Sequence, residues 1–295
     1  MSARRRIRGI PPRRSLAVAA ALVVCLAAPA WSDDVPTAEE AVEKARALAR
    51  QGHQSDAEAY LAELVREDNG PLAGDATVLL EAAWLSTSAE DSRTYAARAI
   101  ERTRSSAMLE AAHMLIGDSY FAESLYVSAS HEYEQAARHS SDRCAGPADL
   151  KRARSILASG DAGAAVEAYR AIVGSGATPG ETTPFAEVGL ATALLAAGRP
   201  EEAAEQFEAT ARVYAESEIR PQALAGAAES HDATGADSLA VVALKRLLSD
   251  HPDSYEAVLA RERLRSYSFP DSTVLLGGTA DTTALMTGTP VAPEQ

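Results

Sequence analysis

A phrase of small and bulky residues returns about every 37 residues along this chain, and its internal spacing leaves few folds open. The clearest copy reads Ile116-Gly117-Asp118-Ser119-Tyr120, followed by Tyr126, Ala129, Tyr133 and Ala136. Counted from Gly117, the key residues fall 3, 12, 16 and 19 positions on, the spacing of two antiparallel helices joined by a short turn. One such hairpin cannot bury its own apolar face, so successive copies must stack into a solenoid, whose long wall is a surface for holding other molecules.

Six copies are anchored on the small residue near the start of each second helix: Ala57, Ala96, Ala129, Ala165, Ala203 and Ala240, at intervals of 39, 33, 36, 38 and 37. Four residues after each comes a bulky side chain: Leu61, Ile100, Tyr133, Tyr169, Phe207 or Leu244. Residues four apart share one helical face, so the pair forms a hole and a knob towards the neighbouring helix. Gly52, Gly160, Gly198 and Gly235 each lie five residues before an anchor alanine, where glycine can end the first helix in the left-handed conformation. The second copy has no turn glycine. Ala, Glu, Leu and Arg dominate from Thr37 to Tyr267, and no run of alternating β-branched residues suggests a sheet.

On Gly117, Tyr120, Ala129, Tyr133 and Ala136 the pattern resembles the tetratricopeptide repeat. The other copies depart from it: Ala153 and Ala228 replace the first-helix glycine, and the terminal proline survives clearly at Pro252. The resemblance implies an all-α, right-handed α-α superhelix of about six helical hairpins plus a C-terminal capping helix, Tyr255 to Tyr267. The closing phrase Leu247-Leu248-Ser249-Asp250-His251-Pro252-Asp253-Ser254 is similar to that of bacterial envelope proteins of this class, the outer-membrane-assembly lipoprotein and the Tol–Pal cell-division coordinator among them.

Residues 1–30 are of another kind. Arg4, Arg5, Arg6, Arg8, Arg13 and Arg14 precede an apolar run, Leu16 to Ala28, and Ala28-Pro29-Ala30 supplies small residues for cleavage. This reads as a signal peptide with cleavage after Ala30, its apolar run being short of the roughly 20 residues that span a bilayer. Two variants stay open. Pro12-Arg13-Arg14-Ser15-Leu16 resembles a twin-arginine signal. Leu22-Val23-Val24-Cys25 resembles a lipobox, which would make Cys25 a lipidation site, although Val24 stands where a small residue belongs. The chain is therefore expected to be periplasmic or secreted, with an outer-membrane lipoprotein as the alternative. Loss of Cys25 leaves Cys144 alone, so no internal disulfide is possible and stability must come from packing.

Residues 31–36 form a short linker, and 268–295 form a Thr-, Gly-, Ser- and Pro-rich stretch with no Lys or Arg, which reads as a disordered tail. Val274-Leu275-Leu276 is a short apolar run within it. Six of the 28 basic residues lie in the leader, leaving 22 against 42 acidic residues, a net charge near −20. That argues against nucleic acid or anionic lipid as a direct partner, and against membrane insertion of the mature chain.

Catalytic constellations are missing. His131-Glu132 opens like a zinc-protease motif, but Gln135 stands where the second histidine belongs, and His139 is eight residues from His131, more than two turns. There is no phosphate-cradling loop, nucleophile elbow or CxxC pair; Gly174-Ser175-Gly176 reads as a linker. Glu39-Glu40 and Glu201-Glu202 read as first-turn residues favouring the helix dipole. The chain is therefore expected to be no enzyme and to need no cofactor or metal.

Tyr120 and Tyr133 occupy repeat-defining positions and read as core, whereas Tyr126 is placed in the turn. Carried onto the first helix of each hairpin, the resemblance places groove-lining residues at Met114, Asp118 and Phe121, then Arg154 and Leu157, then Val188, Thr192 and Leu195, then Glu229 and Asp232. The groove has an apolar middle and an acidic end, and lacks the Lys and Arg clamp that grips a carboxyl-terminal peptide in some chaperone adaptors. The function implied is a scaffold holding a protein or peptide partner along the third to fifth hairpins. Self-association, or an accessory role beside a periplasmic cell-wall enzyme, are the alternatives.

Overall fold

The computed structural model describes residues 35–66, 70–141, 146–175 and 183–267. The leader with Cys25, the loop holding Cys144, Gly176 and the tail with Val274-Leu275-Leu276 lie outside the described residues.

The described residues form thirteen helices and no strand: α1 (Ala38–Arg50), α2 (Gln54–Leu64), α3 (Ala76–Leu85), α4 (Ala89–Arg102), α5 (Ser106–Ala122), α6 (Tyr126–His139), α7 (Pro147–Ala158), α8 (Ala162–Gly174), α9 (Thr183–Ala196), α10 (Pro200–Val213), α11 (Arg220–Ala233), α12 (Asp237–Asp250) and α13 (Tyr255–Ser266). They pair as six hairpins, α1 with α2 through α11 with α12, and α13 caps the last.

Local chemistry sets the helix ends. Thr37 accepts from the Glu40 amide while the Glu40 carboxylate accepts from Thr37, a capping box. Asp75, Ser88, Asp161 and Ser254 cap their helices in the same sense with side-chain oxygens. Pro147, Pro200 and Pro221 sit in first turns, where a missing amide donor costs nothing. Gly52, Gly160, Gly198 and Gly235 all have φ between 72° and 92°, which ends the first helix of their hairpins as the spacing suggests. In the third hairpin Ser124 takes this conformation at φ 61°. Tyr126 is not in that turn. It is the first residue of α6, set edge-on to the Phe121 ring. Gly174 likewise belongs to the last turn of α8 and is not a linker residue.

All six anchor alanines are fully buried, and all bulky partners except half-buried Ile100 are core residues. Each odd-numbered helix also packs against the next odd one, except across the step from α5 to α7, whereas no comparable contact joins even-numbered helices. The odd helices are thus drawn closer together and form the inner wall of the solenoid. Buried apolar residues gather in a large cluster spanning α7 to α13, a second spanning α1 to α4, and a small one around Ala83, Ala96, Ala112 and Ile116. At the α5–α7 step polar contacts take over. Lys151 donates to both carboxylate oxygens of Asp118 at 2.6 and 2.7 Å, and the Tyr133 hydroxyl donates to the same carboxylate at 2.6 Å. The Arg154 guanidinium lies 5.1 Å from the centre of the Phe121 ring.

Candidate functional site

Two glycines shape the inner wall. A Cβ on Gly189 would lie 2.3 Å from the Tyr169 ring, and one on Gly226 would lie 2.4 Å from the Phe207 ring. In each case the ring comes from the outer helix of one hairpin and the glycine from the inner helix of the next. Both glycines stand two positions before the small residue of the repeat, Ala191 or Ala228, and lie 37 residues apart. Gly117 meets Tyr133 in a related way, but within one hairpin. A side chain at position 189 or 226 would fill the space the ring occupies, so the absence of a Cβ lets an aromatic face reach the floor of the groove.

Over each ring lies a cavity. The first, about 390 Å³, has Tyr169 and Gly189 at its base and is walled by Leu150, Leu157, Phe185, Val188 and Ile219, with Arg154 at the rim. The second, about 620 Å³, has Phe207 and Gly226 at its base and is walled by Leu195, Ala225, Leu244, Leu259 and Ala260, with Glu229, Glu256 and Arg263 around it. Thr192 and Gln222 line both cavities, so they form the partition. The two are copies of one site in the repeat frame: Tyr169 corresponds to Phe207, Gly189 to Gly226, Val188 to Ala225, and Leu157 to Leu195.

Among the groove positions expected from sequence, Arg154, Leu157, Val188 and Thr192 meet at the first cavity, and Thr192, Leu195 and Glu229 at the second. Val188 is mostly core, being 3% exposed. Met114, Asp118 and Phe121 line neither cavity, so the cavities begin one hairpin later than the expected third-to-fifth wall. Asp118 is engaged by Lys151 and Tyr133, and Phe121 lies between the Tyr126 ring and the Arg154 guanidinium. Asp232 does not leave an open acidic end, because Arg263 pairs with one carboxylate oxygen and the Tyr267 hydroxyl donates to the other. The repeat pattern alone does not single out Gly189 and Gly226, since neither occupies its small-residue position; their matching 37-residue separation was the available signal.

Burial pushes the Tyr169 phenol up to about 12, with the nearby Arg154 charge partly opposing it. Burial, followed by the Asp118 hydrogen bond and charge, raises Tyr133 further. Tyr267 also rises to about 12 through desolvation and then its bond to Asp232.

A third cavity, about 410 Å³, lies between α1 and α3. Its wall holds Trp84, 64% exposed, beside Arg46, Ala49 and Arg50. Arg46 grips the buried Glu81 through two bonds of 2.9 and 2.8 Å. Elsewhere, His139 stacks on His113 with ring centres 5.9 Å apart, and His113 bonds Glu132 at 2.8 Å. His131 is exposed, beside Gln135. Among the described residues no group of His, Cys, Asp and Glu could hold a metal ion, and no helix is long and apolar enough to cross a membrane. Glu39, Glu40, Glu201 and Glu202 are exposed in the first turns of α1 and α10.

No protein-family model and no curated protein matches the chain. Among solved structures it is similar to a tetratricopeptide repeat protein from Parabacteroides merdae, with a TM-score of 0.55 and 14% identity over 80% of this chain and 95% of that one. It is also similar to the APC/C hetero-tetramer Cut9–Hcn1, with a TM-score of 0.52 and 10% identity over 77% of this chain and 42% of that one. YrrB, a TPR protein with an unusual peptide-binding site, aligns at a TM-score of 0.49 and 20% identity over 68% of this chain and 97% of that one. Likeness at such identities speaks to architecture alone, and the architecture is that of a tetratricopeptide-repeat α-solenoid.

Proposed function

We propose that the chain is a non-catalytic scaffold that holds an extended segment of a partner protein along the inner wall of α7 to α13. The supporting observation is the pair of equivalent cavities, each floored by an aromatic ring and divided by Thr192 and Gln222. Packed helices stand about 8–10 Å apart, so neighbouring subsites on α7, α9 and α11 repeat at about that distance. A polyproline-type segment has three residues per turn and rises about 3.1 Å per residue, so every third side chain returns to the same side after about 9 Å. The partner therefore carries apolar side chains three residues apart. Arg154 orients it at one end, and the mixed charges of Glu229, Glu256 and Arg263 do so at the other.

The place of action in this proposal is the bacterial cell envelope. Its support is the basic and apolar leader of residues 1–30 and the resemblance of the closing phrase to envelope repeat proteins. Thr192 and Gln222 are both exposed, so Thr192→Arg with Gln222→Arg closes both cavities without touching the core. Immobilised residues 31–295 are expected to retain a partner from envelope extracts that the double variant, with unchanged helix content, loses. Capture of the same set by both chains would refute the groove. Self-association is the second reading, favoured by exposed Tyr255, Val258 and Leu259 on the last helix. Light scattering that reports a monomer at every concentration would remove it.

A further inference from the structure

The larger cavity lies beside the point where the chain leaves its last helix. Glu256, Leu259, Ala260 and Arg263 of α13 form one of its walls. At the end of that helix Arg263 and the Tyr267 hydroxyl both hold Asp232, on the inner helix α11. These two contacts fix the chain's exit against the inner wall, next to the cavity. Twenty-eight residues follow Tyr267, and within them Val274-Leu275-Leu276 is the one run of three bulky apolar side chains.

We propose that the Val274-Leu275-Leu276 segment of this same chain docks in the cavity floored by Phe207 and Gly226, as an internal occupant that an outside partner must displace. The inference rests on the groove reading above. Val274 lies seven positions beyond Tyr267, and an extended chain covers about 3.3 Å per residue, so the run reaches about 23 Å from its fixed exit, more than twice the spacing of adjacent inner helices. The cavity base is apolar through Leu195, Phe207, Leu244 and Leu259, matching the run in kind. The stretch of 268–295 carries no Lys or Arg to clash with Arg263. A tether this short holds the run at an effective concentration on the order of millimolar, so even a weak site is largely filled from within. Filling is self-limited, because the run covers one subsite and leaves the Tyr169 cavity open to the leading end of a partner.

The test uses the full chain and, as probe, a fluorescein-labelled peptide with the sequence of residues 270–280. In one variant Val274→Asp, Leu275→Asp and Leu276→Asp remove the internal occupant without altering any described helix. The probe is expected to bind this variant saturably and at least about tenfold more tightly than the unaltered chain. Adding Leu259→Glu, at a half-exposed position of the cavity wall, is expected to abolish that gain with helix content unchanged. A photo-reactive group at position 275 of the otherwise unaltered chain is expected to crosslink to Leu195, Ala225 or Leu259 within one molecule. Absence of probe binding to the triple variant, or crosslinks lying elsewhere, would overturn the proposal. Crosslinks between isotopically heavy and light chains would overturn it in favour of a second copy as occupant. Partner capture that depends on Thr192 and Gln222 while the probe fails to bind would leave the groove function standing and refute the internal occupant alone.

Discussion

The first two hairpins and the last three solve the same packing problem by different means. From α7 to α13 a single apolar cluster runs through every helix, and aromatic rings from one hairpin close over the glycines of the next. From α1 to α4 the apolar cluster is smaller, and polar side chains reach across to backbone carbonyls. Arg98 donates to the Val65 and Ala73 carbonyls, Gln54 to Leu85, and Ser92 to Ala83. Glu58 accepts from Ser86 and Thr87 in the glycine-free turn of the second hairpin. Ring-on-glycine packing between hairpins brings an aromatic face to the base of each C-terminal cavity. A hollow beside Trp84 lies among the N-terminal hairpins, whereas two congruent ones lie over the aromatic steps of the C-terminal half. Hence the aromatic steps that hold the later repeats together also floor the cavities of their inner wall.

The contrast is most sharply tested by Phe207→Ala. Removing this buried ring is expected to cost about 3–5 kcal/mol. In a linear stack each repeat leans only on its neighbours, so hydrogen exchange should accelerate across α9 to α13 while α1 to α4 keep their protection. Uniform acceleration along the whole chain would show that the two halves unfold as one. Next in size is Gly226→Ala, which drives a methyl into the Phe207 ring and is expected to lower stability by about 1–3 kcal/mol in denaturant titration. The same change at Gly163, whose added Cβ would meet only Asp161 at 3.8 Å, is expected to be neutral or to stabilise by up to about 1 kcal/mol. In the other half, Arg98→Met removes two ties to carbonyls and is expected to cost about 1–2 kcal/mol, with faster exchange confined to α2 to α4.

A smaller effect belongs to the junction. Lys151→Met breaks a partly exposed pair with Asp118, expected to be worth no more than about 1 kcal/mol. Its signature is cooperativity: calorimetry should show a broader transition, the α5–α7 step being the one inner-wall step without close helix contact. Smallest at neutral pH is Tyr169→Phe. The Tyr169 phenol is raised to about 12 in the fold and returns to about 10 on unfolding, so its neutral form favours folding. That contribution is complete below pH 10 and fades as pH climbs to 12. Wild-type stability should therefore fall more steeply between pH 10 and 12 than that of Tyr169→Phe, and absorbance titration should show one late-ionising tyrosine fewer in the variant, Tyr133 and Tyr267 remaining.

The hairpins were legible because their rules are local. An alanine and a bulky residue four apart, with a glycine five before, state a helix end, a turn and a face within ten residues, and all six anchors are buried. The groove was legible only in part. Arg154, Leu157, Thr192, Leu195 and Glu229 do meet at cavities, yet Asp118, Phe121 and Asp232 are spent on contacts with Lys151, Arg154 and Arg263, each from a helix elsewhere in the chain. Contacts between side chains 31 to 33 positions apart leave no trace in the local helical pattern.

By itself, then, the sequence determined that this chain forms stacked helical hairpins, where each one turns, and which face each helix buries, because these follow from residues three to five positions apart. Tertiary structure decided where the wall opens into cavities and which wall residues remain available. Those outcomes depend on whether an aromatic ring from one hairpin finds a glycine in the next, and on which charges meet across helices, distances that stacking alone brings down to a few ångströms.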